Sequence, residues 1–95
     1  MSKAYWIARI DVRDSEQYAR YAALATKSFQ HYGARVLARG GLALSLEGEA
    51  RARNVVIEFD DIAQARACYE STAYQEARCH RVGAADGEIV IVEGT

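Results

Sequence analysis

Apolar and polar residues alternate from the start of the chain. Ala4, Trp6, Ala8, Ile10 and Val12 fall on one side, with Tyr5, Ile7, Arg9 and Asp11 on the other. This period of two predicts a strand over residues 4–12. Asp14 then reads as a helix N-cap, and Gln17 three residues on completes a capping box. Behind it Tyr18, Tyr21, Ala22, Ala25, Phe29 and Tyr32 recur at helical spacing as one aromatic-rich stripe, and Gly33 supplies the stop. Residues 35–39 alternate again, with Arg35, Leu37 and Arg39 against Val36 and Ala38, and Gly40-Gly41 marks a turn or bulge. Leu42, Leu44 and Leu46 predict a short third strand over 42–47. A polar connection over 48–53 then leads to a strand over 54–59, with Val55, Ile57 and Phe59 opposite Asn54, Val56 and Glu58. Asp61 with Gln64 opens a helix whose inner face holds Ile62, Ala65, Cys68 and Tyr69. Ser71 or Thr72 restarts a second short helix carrying Tyr74 and Ala77, Gly83 and Gly87 bracket a turn, and 88–93 is the last strand.

The predicted order is β-α-β-β-β-α-α-β, with no linker or internal repeat. This is an α+β chain, ferredoxin-like, with an antiparallel sheet, helices on one face and one added short strand. Residues 1–95 form one domain in this reading. Trp6, Ile10, Val36, Ala38, Ile57 and Phe59 make a wholly apolar face suited to the helices. The opposite face mixes Tyr5, Ile7, Leu37, Val56, Val90 and Val92 with Arg9, Arg39, Glu58 and Glu47. A solvated face would carry fewer aliphatics, and a plain core would carry no ion pairs. The mixture points to a symmetric homodimer in which two sheets meet.

Composition strengthens that expectation. Of 95 residues 18 are alanine, and only 28 are bulky and apolar, a thin core for a monomer. Twelve basic and thirteen acidic residues are interspersed, for a net charge of −1, which disfavours nucleic acid as a partner. No apolar run approaches the ~20 residues of a membrane span, and Met1-Ser2-Lys3 leads into a strand without a signal-peptide core. The two cysteines, Cys68 and Cys79, have neither redox nor zinc spacing. A reduced, cytoplasmic protein without a structural metal or cofactor is expected.

The candidate chemistry is sparse. His31 sits at a helix end, where the macrodipole favours a charged imidazole. Cys79 and His80 are helix neighbours and point about 100° apart, a poor nucleophile–base pair. Arg39 and Glu58 lie on different strands of the mixed face, so if buried together each needs the other. They read either as an anion site or as a structural ion pair. Arg53 with Glu47 is a weaker pair of the same kind, and Arg81 with Asp86 could tie the last helix to the last strand. Tyr18, Tyr21, Tyr32, Tyr69 and Tyr74 read either as core or as the lining of a small-molecule pocket. No phosphate loop, nucleophile elbow or dinucleotide fingerprint is present.

Several segments together resemble a known family, the domain of unknown function 1330 family. They are Lys3-Ala4-Tyr5-Trp6-Ile7-Ala8-Arg9, Arg39-Gly40-Gly41, Leu46-Glu47-Gly48, Val56-Ile57-Glu58-Phe59, Tyr69-Glu70-Ser71-Thr72-Ala73-Tyr74-Gln75 and the run from Ala84 to Gly94. The likeness covers essentially the whole chain. Cys68 departs from the pattern, since a large residue is expected before Tyr69. Ser15 and Asp60 stand where relatives often carry proline. The resemblance implies a dimeric α+β barrel, a superfamily that includes small monooxygenases, haem-degrading enzymes, muconolactone isomerases and stress-response proteins. Such breadth transmits no single function. With the tyrosine stripe, it implies a pocket between sheet and helices for a small carboxylate-bearing or aromatic molecule, with Trp6, Tyr18, Arg39, Glu58, Tyr69 and Tyr74 as ligand-binding candidates. A cofactor-free oxygenase or isomerase is the alternative, for which Glu58 or His80 would be the acid–base group. A ligand-free interaction module is the third reading.

Overall fold

Alternation over nine residues produces β1 (Ala4–Val12), in which Ala4, Trp6, Ala8 and Ile10 are buried and the intervening residues half-exposed. The computed structural model describes residues 2–95; Met1, part of the expected leaderless start, lies outside them. Helix α1 (Ser15–His31) begins where the Asp14 carboxylate accepts the Gln17 N–H at 3.1 Å, and it ends at Tyr32 before Gly33, whose φ is +69°. The other elements are β2 (Arg35–Arg39), β3 (Arg53–Phe59), α2 (Ile62–Glu70), α3 (Thr72–Arg81) and β4 (Ala85–Glu93). Asp61 caps α2 through the Gln64 N–H at 2.8 Å, and Ser71 caps α3 through the Tyr74 N–H at 3.2 Å.

The strands form one antiparallel sheet in the order β2-β3-β1-β4, with the three helices on one face, a ferredoxin-like α+β fold. Trp6 lies opposite Ile57 and Ile91, and these residues turn toward the helices. Tyr5, Ile7 and Arg9, with Glu58, Val56 and Asn54 on one side and Val92, Val90 and Glu88 on the other, form the uncovered face. The core is aromatic: Trp6 and Phe59 from the sheet meet Tyr21, Phe29 and Tyr74 from the helices, and alanines fill the spaces between them.

Two expectations need correction. The strand over 42–47 does not form. Residues 40–52 make an irregular, exposed arm, with Leu42, Leu44 and Leu46 at 96%, 77% and 88% exposure. Alternation encodes two faces, but a strand also needs a neighbour for its N–H and C=O groups, and the arm finds none among the described residues. The second correction is in β2. Val36 opposes Ile57 while Ala38 opposes Val56, so Leu37 is the extra residue of a bulge. Beyond it the faces invert. Ala38 moves to the uncovered face, and Arg39, opposite Val55, moves to the helix side.

Ion pairs tie the arm to the sheet. Arg51 bonds Asp11 at 3.0 Å and Glu88 at 2.7 Å, Asp11 also accepts the Ala52 N–H at 2.8 Å, and Arg9 donates to the Glu49 carbonyl. The Ala52 N–H, and then Arg51, hold the Asp11 carboxyl below the usual carboxylate range. Arg35 does the same for Glu58 and Asp60 across the bulged end.

Two outcomes are expected. A Cβ on Gly87 would stand 2.0 Å from the Arg9 carbonyl oxygen, so Gly87→Ala forces β4 away from β1. It should cost about 1–3 kcal/mol in urea unfolding. The depressed carboxylates contribute stability that is fully present above their unfolded pKa values and is lost as pH falls through the lower folded ones. Thermal unfolding midpoints should therefore hold down to about pH 4.5 and then drop. Asp11→Asn should flatten part of that drop, and an unchanged acid slope would show that the Asp11 contacts contribute nothing.

Candidate functional site

The backbone of α1 packs closely on α3 rather than on the sheet. Its side chains bridge to the strands and leave a cavity of about 40 Å³ between α1 and the β2–β3–β1 side of the sheet. Trp6, Ala8, Ile10, Val55 and Ile57 form its floor, and Tyr18, Tyr21 and Phe29 its roof. The polar exceptions are Thr26 on α1, whose hydroxyl donates to the Ala22 carbonyl at 2.8 Å, and Arg39 and Arg53. The volume holds a few waters.

Arg39 reaches the cavity because of the bulge, and Arg53 because it shares the face of Val55 and Ile57 in β3. The Arg53 guanidinium lies 5.4 Å from the centre of the Tyr18 ring, a cation–π contact, and its Nε is buried without a hydrogen-bond partner. Gly40, at φ +67°, makes room for it: a Cβ there would come within 2.8 Å of Arg53 Nη1. Among the described residues, neither arginine has a carboxylate within ion-pair distance, although six of the ten arginines do.

The inner wall is polar at one point. Tyr21 and Tyr74 share a hydrogen bond of 2.8 Å between their hydroxyls, and burial raises both pKa values. Arg81 lies 5.2 Å from the Tyr21 ring centre on the far side. The pair is thus a neutral partition rather than a source of phenolate.

The sequence candidates separate in space. Trp6, Tyr18 and Arg39 line the cavity. Tyr74 is fully buried behind Tyr21, and Tyr69, on α2, faces a different groove beside β4. Glu58 is on the opposite face of the sheet, where it bonds Arg35 at 2.7 Å and the Tyr5 hydroxyl at 3.3 Å, so the expected Arg39–Glu58 pair does not exist. The expected Arg53–Glu47 pair is absent too, and Asp86 pairs with Arg13, not Arg81. His80 Nδ1–H donates to Gln17 Oε1 at 3.3 Å, away from the cavity, and His31 packs edge-on against Tyr32. Cys68 and Cys79 are both free, and burial pushes the Cys68 thiol up to about 11. Among the described residues, no three His, Cys, Asp or Glu side chains gather as a metal would need, and no helix is long and apolar enough to cross a membrane.

Sequence reasoning missed Arg53 as a cavity residue. Its alternation with Val55 and Ile57 is the signal; starting the strand one residue earlier places it on the helix side. The position of Arg39 had no such signal, since a bulge at Leu37 leaves no mark in the alternation.

Several solved structures share this architecture. A protein of unknown function from Rhodopseudomonas palustris is 21% identical with a TM-score of 0.80, covering 99% of this chain and 83% of the other. SnoaB, a cofactor-independent oxygenase from Streptomyces nogalater, is 8% identical with a TM-score of 0.71, covering 100% and 95%. A dimeric ferredoxin-like protein of unknown function from Thermobifida fusca is 16% identical with a TM-score of 0.65, covering 98% and 92%. At these identities the likeness is one of fold. No curated protein matches this chain. The family model described as Domain of unknown function (DUF1330) matches residues 3–95, and over that span, nearly the whole sequence, the chain belongs to this family.

Proposed function

We propose that the protein is a cytoplasmic homodimer that binds a small carboxylate-bearing aromatic molecule in the cavity between α1 and the sheet. One observation carries the reading: two guanidinia without carboxylate partners, Arg39 and Arg53, flank an otherwise apolar, aromatic-walled cavity. A buried guanidinium N–H without an acceptor is costly, and the Arg53 Nε is such a group. A ligand carboxylate would supply the missing acceptors, and the ring would extend inward along Tyr18 toward Trp6. Cavities that take benzene are near 150 Å³, so occupancy requires the walls to give. β2 is the element suited to move, as an exposed edge strand bonded only through β3 and interrupted by its bulge.

The dimer reading rests on the uncovered sheet face, where Leu37, Val90 and Val92 are 56%, 55% and 45% exposed beside the half-buried Ile7 and Val56. Apolar side chains gathered on one uncovered face in this way suit a protein–protein contact. The Thermobifida fusca protein of similar fold is itself dimeric. Neither Glu58 nor His80 lines the cavity, so the reading assigns no acid–base group there.

Two measurements test it. Benzoate titrated into isotope-labelled protein should shift the amides of Ala22, Thr26 and Val55 saturably, and benzyl alcohol should do so far more weakly. Arg39→Gln with Arg53→Gln should weaken benzoate by about tenfold or more. Equal affinity for acid and alcohol, or no effect of the two substitutions, would remove the site. In native mass spectrometry the parent should appear at twice the 10.5 kDa chain mass and Val90→Glu at the single mass. A monomeric parent would sink the dimer.

A further inference from the structure

A second set of arginines without carboxylate partners lies elsewhere. Four of the ten arginines form no ion pair among the described residues; Arg39 and Arg53 are two, and Arg78 and Arg81 on α3 are the others. Both line an open groove of about 540 Å³ between α2, α3 and β4. The floor is apolar, formed by Ile89 and Ile91 on the helix side of β4, and Tyr69 from α2 stands along it. Arg66 from α2 completes the rim, paired with Glu70 at 3.1 Å. Three guanidinia and one carboxylate thus line a groove with an apolar base, and only Arg66 is paired with that carboxylate.

The position of Arg78 and Arg81 in the last turn of α3 has an ordinary reason, since basic residues there offset the helix dipole. Arg66 has an ordinary reason too, its i,i+4 pair with Glu70, but neither reason explains why Arg81 is held over Tyr21 with its Nε buried and without a partner. Solvation is open to Arg78 but not to that Nε, which has no hydrogen-bond partner even though the rest of the guanidinium lies by the Tyr21 and Tyr74 hydroxyls. The apolar base meanwhile sits at the edge of the sheet, since β1 is the one strand that β4 pairs with among the described residues. A molecule that satisfies both features has a planar apolar body to cover Ile89, Ile91 and Tyr69, and an anionic group to meet the arginines.

We infer that this groove is a second binding site, separate from the cavity under α1, for a planar organic anion larger than a single ring. The two linings share no residue, so each site is filled from its own side. Their sizes set different preferences: the groove accommodates a fused bicyclic acid, and the cavity does not.

The test uses 2-naphthoate with the isotope-labelled full chain, against 2-naphthalenemethanol as its neutral counterpart. The acid should shift the amides of Arg78, Gly87, Ile89 and Ile91 saturably, leave those of Ala22 and Thr26 in place, and bind more tightly than the alcohol. Arg78→Gln and Arg66→Gln should each weaken it by about tenfold. Arg78 is the informative position, because Arg81 packs on Tyr21 and its loss threatens the fold. Acid and alcohol binding alike, undiminished affinity in both variants, or shifts confined to the cavity amides would overturn the inference. Benzoate at the cavity reports independently, so the two sites succeed or fail separately.

Discussion

The indole of Trp6 is the point on which the fold converges. Phe59 from β3 stacks 6.1 Å from it, and each helix contributes one ring: Phe29 at 5.1 Å, Tyr69 at 5.7 Å and Tyr74 at 5.0 Å. Such pairs contribute about 0.5–1.5 kcal/mol each beyond the area they bury. The composition makes this necessary. With 18 alanines and only 28 bulky apolar residues, aliphatic packing alone cannot fill the space between three helices and a four-stranded sheet. One wide ring at the centre fixes three helices at once, and alanines on the flanks let backbones close in around it. The same arrangement leaves the α1 side under-filled, because the α1 backbone packs on α3 while only its side chains, from Tyr18 to Phe29, reach the cavity over the sheet. The cavity is thus a consequence of where the bulk is placed.

Electrostatics divides the molecule along the same lines. On the uncovered face the charges are matched: Arg35 with Glu58 and Asp60, Arg51 with Asp11 and Glu88. Each of these arginines takes two carboxylates, which fixes the bulged end of the sheet and the base of the arm. The helix side is matched only in part: Arg20 and Arg66 pair with Glu16 and Glu70 along their own helices, while Arg39 and Arg53 at the cavity and Arg78 and Arg81 at the groove have no carboxylate partner among the described residues. Structural arginines come with partners in the chain. Four have no carboxylate partner among the described residues, two of them lying over tyrosine rings instead, and all four stand at the two concavities the fold provides.

The sheet faces and the helix boundaries were legible because each rests on a local rule. Alternation in β1 placed Trp6 and Ile10 inward, Asp14, Asp61 and Ser71 capped the helices they preceded, and Gly33 took the left-handed φ that ended α1. Two features were illegible, for different reasons. Leu42, Leu44 and Leu46 carry the alternation of a strand, yet pairing is not a property of one segment, and these leucines stand in the open. Arg39 was read by parity onto the face of Glu58, and a single extra residue, Leu37, reversed that parity. Register shifts of this kind move every later side chain to the other face. Tyr69 and Tyr74 show a third limit: helical spacing brings both to the inner side of their helices, but it does not say which of them ends in the core and which at a groove.

The bulge also connects the two faces. It sits in the strand that carries Arg35 on the outside and Arg39 on the inside, four residues apart. Without it, five residues of uninterrupted alternation would put both guanidinia on the uncovered face, and the cavity would keep Arg53 alone. With it, Arg35 locks onto Glu58 and Asp60 while Arg39 is released to the other side. β2 is therefore anchored at its first residue by paired charge and left at its last beside Gly40 and the arm, where no ion pair holds it. An edge strand pinned by paired charge at one end and held at the other by backbone pairing alone gives most easily at that second end. That end carries the arginine at the cavity mouth, so the part of the wall that must move for a ring to enter is also the part that would greet the ligand's charge.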